Sequence, residues 1–565
     1  MSKMKVVIVG GVAGGATAAA RLRRLDEKME IIMVERSGYI SYANCGLPYY
    51  IGGSITDKKA LTLQTPESFY NRFRIDVRVH QEVTRINALE KKVTIHKLED
   101  HTTYQESYDK LILSPGAKAV LPPITGITLE NVFTLRTVED TFKIDDYLKD
   151  HEVKKAVVVG AGFIGLEMAE NLKEKGIDVT IVQLMDQILA PLDKDMAAIV
   201  QNYIKNQDIE LLLGTSLTKI LKKENETIAV LDHQKEIACD MILMAVGVQP
   251  DSQLAKTAGI DLGIKGAIKV NAHMQTNVND IYAVGDAVEV KHFITQTDSL
   301  ISLAGPANKQ GRIAADHICG IDHLYKGSQG SSILKLFDMH IATTGLNEKE
   351  AQTAKIDYDY VIITSSSHAA YYPNAKNMYL KVLFDKKDGT ILGGQIIGYD
   401  GVDKRIDVLA TAIRAKMTAY DLTELDLAYA PPFSSAKDPI NMIGFVIENI
   451  LTDKVKQMHW SDIKDDEKTI ILDTRTILEY QRGHFPNALH IPLDELRDRL
   501  SEIDRDKDIQ VYCQSGLRSY LACRILSQNG YICKNIAGGY GIYQHIEENK
   551  IMQSAGMRPC GIDEK

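Results

Sequence analysis

The sequence predicts an α/β protein of several domains, and three observations predict it. Two stretches, Val6 to Val9 before Gly10 to Gly15 and Val157 to Val159 before Gly160 to Gly165, each read as strand, glycine turn, helix and strand. From about residue 331 the pattern changes to successive strands and then a helical stretch. After residue 468 a new strand, loop and helix unit begins, with a cysteine at a strand end. At 565 residues the chain is too long for one ordinary core. Its apolar share of 45% and charged share of 25% are those of a globular protein.

A formal net charge of -9 with both signs interspersed argues against a protein that coats nucleic acid, while leaving room for a local basic pocket. The start runs straight into the first strand, so no signal peptide is expected, and no apolar run approaches the ~20 residues of a membrane span. Seven cysteines without paired spacing read as a reducing compartment, so a cytoplasmic location is expected.

In the first unit Val6 to Val9 form the strand and Gly10-Gly11-Val12-Ala13-Gly14-Gly15 the turn. An alanine-rich helix from Ala16 to Leu25 follows, then a strand from Ile31 to Glu35, with Arg36 next in line. Val12 stands where the second glycine of G-x-G-x-x-G is expected. Glu35 lies where a ribose hydroxyl would be bound.

Next comes Ser41-Tyr42-Ala43-Asn44-Cys45-Gly46-Leu47-Pro48, which places one cysteine just ahead of a helix start. Helix-end amides there are expected to favour the thiolate of Cys45, read as the redox centre. Tyr42, Pro48, Ile40 and Tyr50 occupy the positions a second cysteine would need. Cys45 therefore exchanges with an external thiol, disulfide or persulfide. The alternative is a cysteine packed as a small hydrophobe.

The second unit, Gly160-Ala161-Gly162-Phe163-Ile164-Gly165, is a complete motif, followed by a helix from Leu166 to Lys175 and a strand from Val179 to Gln183. Two Rossmann-like domains imply two dinucleotides. Gln183 ends the strand and no cation stands nearby for a 2′-phosphate, so NADH is expected, with NADPH the alternative. Strands ending at Gly116 and Gly247 mark crossings between the units, and Ile281 to Asp286 puts an acid at the end of an apolar strand.

This order of motifs resembles the flavoprotein pyridine-nucleotide disulfide oxidoreductases over about residues 4 to 450. The resemblance implies FAD in the first unit, NAD(P)H in the second, and Asp286 on the ribityl chain. Strands Ile333 to Phe337, Tyr360 to Thr364, Tyr379 to Phe384 and Ile391 to Gly398, with a helix from Lys404 to Met417, resemble that family's α+β dimerisation domain, which implies a homodimer. His368 to Pro373 and Tyr429 to Ser434, together with Ser41 to Pro48, resemble the single-cysteine coenzyme A disulfide and persulfide reductases. There the tyrosines matching Tyr371 and Tyr429 reach across the dimer to the cysteine, where a phenol donates to a leaving thiolate. Packing at an interface is the alternative, and is favoured for Tyr372. The resemblance also places Arg24, Ser41 and Asn44 along the coenzyme A. A solvated helix face explains Arg21 and Arg23 as well, and Arg72 and Arg74 are candidates on charge alone.

The charge-rich stretch 451–468, with the only tryptophan, Trp460, reads as a linker. Beyond it, Ile470 to Asp473 and Gln510 to Tyr512 are strands, the second ending in Cys513-Gln514-Ser515-Gly516-Leu517-Arg518-Ser519. A cysteine at such a turn meets a nest of backbone amides that favours an anionic sulfur. Asp473 and Arg475, Gly483-His484, and Cys513 with Arg518 resemble a rhodanese domain, and the four residues between Cys513 and Arg518 favour sulfur over phosphate chemistry. Cys239, Cys319, Cys523 and Cys533 read as packing, and Cys560 as a bystander that could instead resolve a persulfide.

The expected layout is an FAD-binding domain at 1–120 plus 270–330, an NAD(P)H-binding domain at 150–269 and a dimerisation domain at 331–450. The linker, a rhodanese domain at 469–553 and a tail follow. The expected activity is flavin-dependent reduction of coenzyme A persulfide, polysulfide or coenzyme A disulfide by NAD(P)H. The alternatives are an NADH oxidase or peroxidase that cycles through a sulfenic acid, and a sulfur-relay or redox-sensing binding protein.

Overall fold

The computed structural model describes residues 3–223 and 226–556, and side chains through residue 550. Two compact units emerge, Met1–Leu184 with Gly214–Gly330 and Met185–Leu213 with Ser331–Lys565.

The first unit contains a parallel sheet whose strands run in the order Ile281–Ala283, Lys110–Leu113, Lys5–Val9, Glu30–Val34 and Asp76–Arg78. Its apolar runs are continuous because both faces are covered. Val6, Ile8, Ile31 and Met33 enter one core with Ala18 and Leu22 of the helix Ala13–Leu25. Val7, Ile32, Leu111 and Ile281 enter another, which includes Val93 and Ile95 of an antiparallel three-stranded insertion. A second parallel arrangement places Val132–Phe133, Met241–Met244, Lys155–Val159 and Asp178–Gln183 side by side. The helix Phe163–Glu174 follows its glycine turn.

The second unit begins with an antiparallel sheet, Ser332–Leu336, Met339–Gly345, Ile391–Gly398, Asn377–Asp385 and Tyr358–Ser366. Met339–Gly345 was missing from the expected strands, its apolar residues diluted by His340 and two threonines. The helix Val402–Ala415 lies on this sheet. The last sheet is parallel, in the order Gln457–Met458, Cys533–Ile536, Asp508–Tyr512, Thr469–Asp473 and Leu489–His490.

Residues 451–468 differ from the linker expected of them. Gln457–Met458 forms the sheet's edge strand, and Trp460 stacks on Tyr543 at 4.5 Å while its indole N–H donates to Gly539 O. The charges of this stretch face solvent, and its few apolar residues fill the last core. Among the described residues no helix is long and apolar enough to cross a membrane.

Candidate functional site

The two glycine turns are built alike. Gly10 and Gly160 take φ of +96° and +104°, and a Cβ on either would meet a backbone carbonyl, that of Ser114 or Ala245, at 2.1 or 2.3 Å. Gly15 and Gly165 let each helix close on its strand, since a Cβ there would lie 1.9 Å from Gly10 O or Gly160 O. Neither helix has a side-chain cap at its start, so its first N–H groups are left for an anion. Gly162 opens on space, with nothing within 4 Å of its Cβ position, whereas Val12 takes that place in the first turn.

The acid and the amide that end the second strands also play matching parts. Glu35 accepts from Gly11 N at 2.8 Å and Ser37 N at 2.9 Å, and burial pushes its carboxyl up against the pull of these donors. Gln183 accepts from Ala161 N at 3.0 Å. Both turns thus fit a pyrophosphate at a helix start, with a polar side chain at the ribose position. Gly116 and Gly247 are left-handed turn residues, φ +71° and +114°. Arg36 pairs with Asp251. Asp286 is ion-paired with Arg136, a residue the motif reading missed because it lies in no motif; its visible signal was a cation just before the Thr137 capping box.

Cys45 sits in a short 3-10 turn, Asn44–Gly46, after the strand Ile40–Tyr42. Ser41 N donates to Gly11 O at 2.8 Å and Ser41 adopts a left-handed φ of +45°, so the redox stretch is latched to the first glycine turn by a strained residue. The helix begins at Leu47 with Pro48 in its first turn, as expected, but it has only six residues. The thiolate expectation is corrected here. Protein packed behind the sulfur and the Glu167 carboxylate push the Cys45 thiol up, with Arg136 pulling the other way.

Glu167 is itself pushed up to about 7 by burial, and it accepts from Tyr49 OH at 3.4 Å. It reaches this place because helix Leu47–Gly52 packs tightly on helix Phe163–Glu174. A Cβ on Gly52 would lie 1.8 Å from Asn171 Oδ1. An acid in the otherwise apolar first turns of a glycine-motif helix was the available signal.

The arginines sort by partner. Arg21 pairs with Asp316 at 2.6 Å. Arg23 is buried and donates to Phe73 O, Arg74 O, Asp26 O and Glu27 O, tying the ends of two helices together. Arg24 and Arg72 flank that tie, both exposed. Arg74 lies over the Tyr70 ring.

In the second unit Tyr371 OH and Tyr429 OH share a hydrogen bond of 3.0 Å, which raises the Tyr371 phenol above its ordinary value. The two tyrosines are 76% and 47% exposed. Tyr372 instead meets the edge of His368.

Cys513 ends the strand Asp508–Tyr512 and is buried. Its sulfur accepts from Gly516 N at 3.1 Å and Ser519 Oγ at 3.5 Å, an anion nest. Arg518 does not aim its charge at the sulfur alone. Both its terminal nitrogens donate to Glu479, at 2.6 and 2.7 Å. Arg475 forks onto Asp473 and stacks on Tyr540 at 4.0 Å, and His484 stacks on Tyr480 at 3.8 Å. Cys239, Cys523 and Cys533 are buried and Cys319 partly so. Cys560 lies outside the described residues.

The pyridine nucleotide-disulphide oxidoreductase family matches residues 4–311, its dimerisation domain residues 331–439, and a rhodanese-like domain residues 457–545. A coenzyme A disulfide reductase of Staphylococcus aureus is 39% identical over 442 residues, covering 78% of this chain and 99% of its own. The reduced Bacillus anthracis CoADR-RHD superimposes with a TM-score of 0.95 at 49% identity, over 97% of this chain and 99% of that one. An NAD-dependent persulfide reductase from A. fulgidus does so with a TM-score of 0.90 at 38% identity, over 96% and 100%.

Proposed function

The chain belongs to the pyridine nucleotide-disulphide oxidoreductase family, and from that premise we propose that it reduces coenzyme A persulfide, or coenzyme A disulfide, with NADH through Cys45 while Cys513 handles sulfane sulfur. The observation that carries this reading is that Cys45 is the one exposed cysteine among the described residues. With no dithiol at the redox stretch, its sulfur partner comes from outside the chain.

Gly10, Val12, Ala13, Gly14, Glu35 and Asp286 would hold FAD, with Arg36, Asn44 and Gly116 along it. Gly160, Gly162, Gly165, Gln183 and Gly247 would hold the nicotinamide nucleotide. When bound, these groups supply the two electrons that return an oxidised Cys45 to thiol. The chain's own part is positional and protonic. Arg24, Ser41 and Asn44 would lie along coenzyme A, with Arg72 a further cation for its phosphates.

Cys45 Sγ attacks coenzyme A persulfide at either sulfur. Attack on the inner sulfur forms a Cys45–coenzyme A disulfide and expels hydrosulfide. Attack on the outer sulfur forms a Cys45 persulfide and expels coenzyme A thiolate. The Tyr371–Tyr429 pair, brought by dimerisation, donates to the departing sulfur. The six cysteines among the described residues are free thiols, which suits a reducing, cytoplasmic setting. Gln183, an uncharged side chain that accepts a hydrogen bond from the turn where an arginine would serve a 2′-phosphate, supports NADH over NADPH.

Anaerobic NADH oxidation with coenzyme A persulfide, comparing wild type, Cys45→Ser and Cys513→Ser, tests this. Turnover with sulfide release that Cys45→Ser abolishes is expected, whereas NADH use that needs only oxygen or peroxide would select an oxidase.

A further inference from the structure

The two arginines that approach the Cys513 loop are both already neutralised. Arg518, the only cation within residues 513–519, is held in a two-pronged pair by Glu479. Glu479 is fixed in turn: its Oε2 accepts from Thr476 N at 3.0 Å and Thr476 Oγ1 at 2.8 Å in a capping box. The Arg518 guanidinium holds its carboxyl down at about 2, so the pair stays ionised at every working pH. Arg475 is engaged as well. It is buried, with Asp473 on its fork, Gly483 O on Nη2, Gln514 Oε1 on Nη1 and the Tyr540 ring against its face. Exposed apolar side chains accompany the Glu479–Arg518 pair, Ile477 and Leu478 next to Glu479 and Leu517 and Leu521 on the arginine's helix.

A sulfur donor such as thiosulfate carries two negative charges and needs unpaired cations to replace its water. Among the described residues, both arginines of this loop are ion-paired, Arg518 with Glu479 and Arg475 with Asp473. The geometry points to Glu479 as a specificity-determining residue: by occupying Arg518 it closes the Cys513 loop to dianionic donors and leaves it to alkyl persulfides, whose arm meets the apolar rim. This deepens, and rests on, the reading of Cys513 as a carrier of sulfane sulfur. In the step itself, Cys513 thiolate attacks the outer sulfur of R–S–SH. The Cys513 S–S bond forms as the donor's own S–S bond breaks, R–S⁻ leaves with the electron pair of that bond, and the sulfane sulfur keeps its proton. No external oxidant or reductant takes part.

The test uses the full chain and cyanide as final acceptor, with thiosulfate or coenzyme A persulfide as donor. Wild type should favour the persulfide in kcat/KM. Glu479→Gln, which removes the charge and frees Arg518, should raise kcat/KM for thiosulfate about tenfold with the persulfide value held within about threefold. Adding Arg518→Gln should erase the thiosulfate gain, which a loosened loop would not do. A thermal melt of the full chain, compared with wild type, reports that each variant is folded. Equal use of both donors by wild type, an unchanged donor ratio in Glu479→Gln, or a thiosulfate gain that survives the double substitution overturns the proposal. Failure of the underlying reading looks different: with either donor, mass spectrometry of wild type would find no added sulfur on Cys513, and the proposal would fall with it.

Discussion

Cys45 and Glu167 form a pair whose charges oppose each other, because an ionised carboxylate beside a thiol disfavours the thiolate. Glu167→Gln should therefore lower the Cys45 thiol and speed its alkylation by iodoacetamide at pH 8 several-fold, with little change below pH 6, where the wild-type carboxyl is already neutral. The same group has a linkage consequence. A carboxyl raised from 4.5 to about 7 in the folded chain holds its proton more tightly there than when unfolded. Stability is therefore lost as pH rises from about 4.5 to 7, by up to about 3 kcal/mol. Thermal melts of Glu167→Gln should gain on wild type between pH 5 and pH 8, and a constant difference would refute this. At the tyrosine pair, Tyr429→Phe removes one of two shared hydroxyls. It should lower kcat by about ten- to a hundredfold with KM for the sulfur acceptor little changed, as expected for proton donation.

At the scale of elements, the glycine-turn helices depend on a contact that admits no side chain. Gly165→Ala would drive a methyl into Gly160 O. It should push helix Phe163–Glu174 off its strand at a cost of about 1–3 kcal/mol. Because this helix also supports the Cys45 helix and carries Glu167, the substitution should raise KM for NADH and alter Cys45 alkylation together, with FAD retained. Gly15→Ala, which meets Gly10 O in the same way, should instead release FAD, read as loss of flavin absorbance after gel filtration. The strands and glycine turns were legible in the sequence because their signals are local: apolar runs, and glycines at positions where only glycine fits. The strand Met339–Gly345 was not, since its pairing with Ile391–Gly398 rather than its composition makes it a strand.

Across the whole molecule, the rhodanese-like region is tied to the dimerisation sheet within one compact unit. His459 bonds Asp359 and stacks on Tyr360 at 3.9 Å, and Gln457 donates to Tyr360 O. Lys381, fully buried, also lies over the Tyr360 ring, 3.9 Å from its centroid, and is paired with Asp193, Asp195 and Glu348. The last helix adds His545, whose Nδ1 accepts from Asn202 Nδ2 and whose Nε2 shares a hydrogen bond with Tyr379 OH, and Asn549, which accepts from Gln201. The two regions should therefore unfold in one calorimetric transition, and His459→Ala with His545→Ala should split it. Burial lowers the His545 imidazole below 6.5, so this docking loses stability as pH falls through about 6.5, where the unfolded chain takes up the proton. A transition unchanged between pH 7.5 and pH 5.5 would contradict that.

The sequence by itself determined the order of domains, the two glycine turns, and the two cysteine-bearing loops, because strand periodicity, glycine requirements and turn chemistry act between near neighbours in the chain. Tertiary structure alone decided what surrounds those loops. The carboxylate that raises Cys45, the Arg136 beside Asp286, the Glu479 that occupies Arg518 and the partners that order residues 457–460 all come from distant stretches. Charge and burial act through space, falling off with distance between side chains. A linear pattern holds no measure of that distance until the chain has folded.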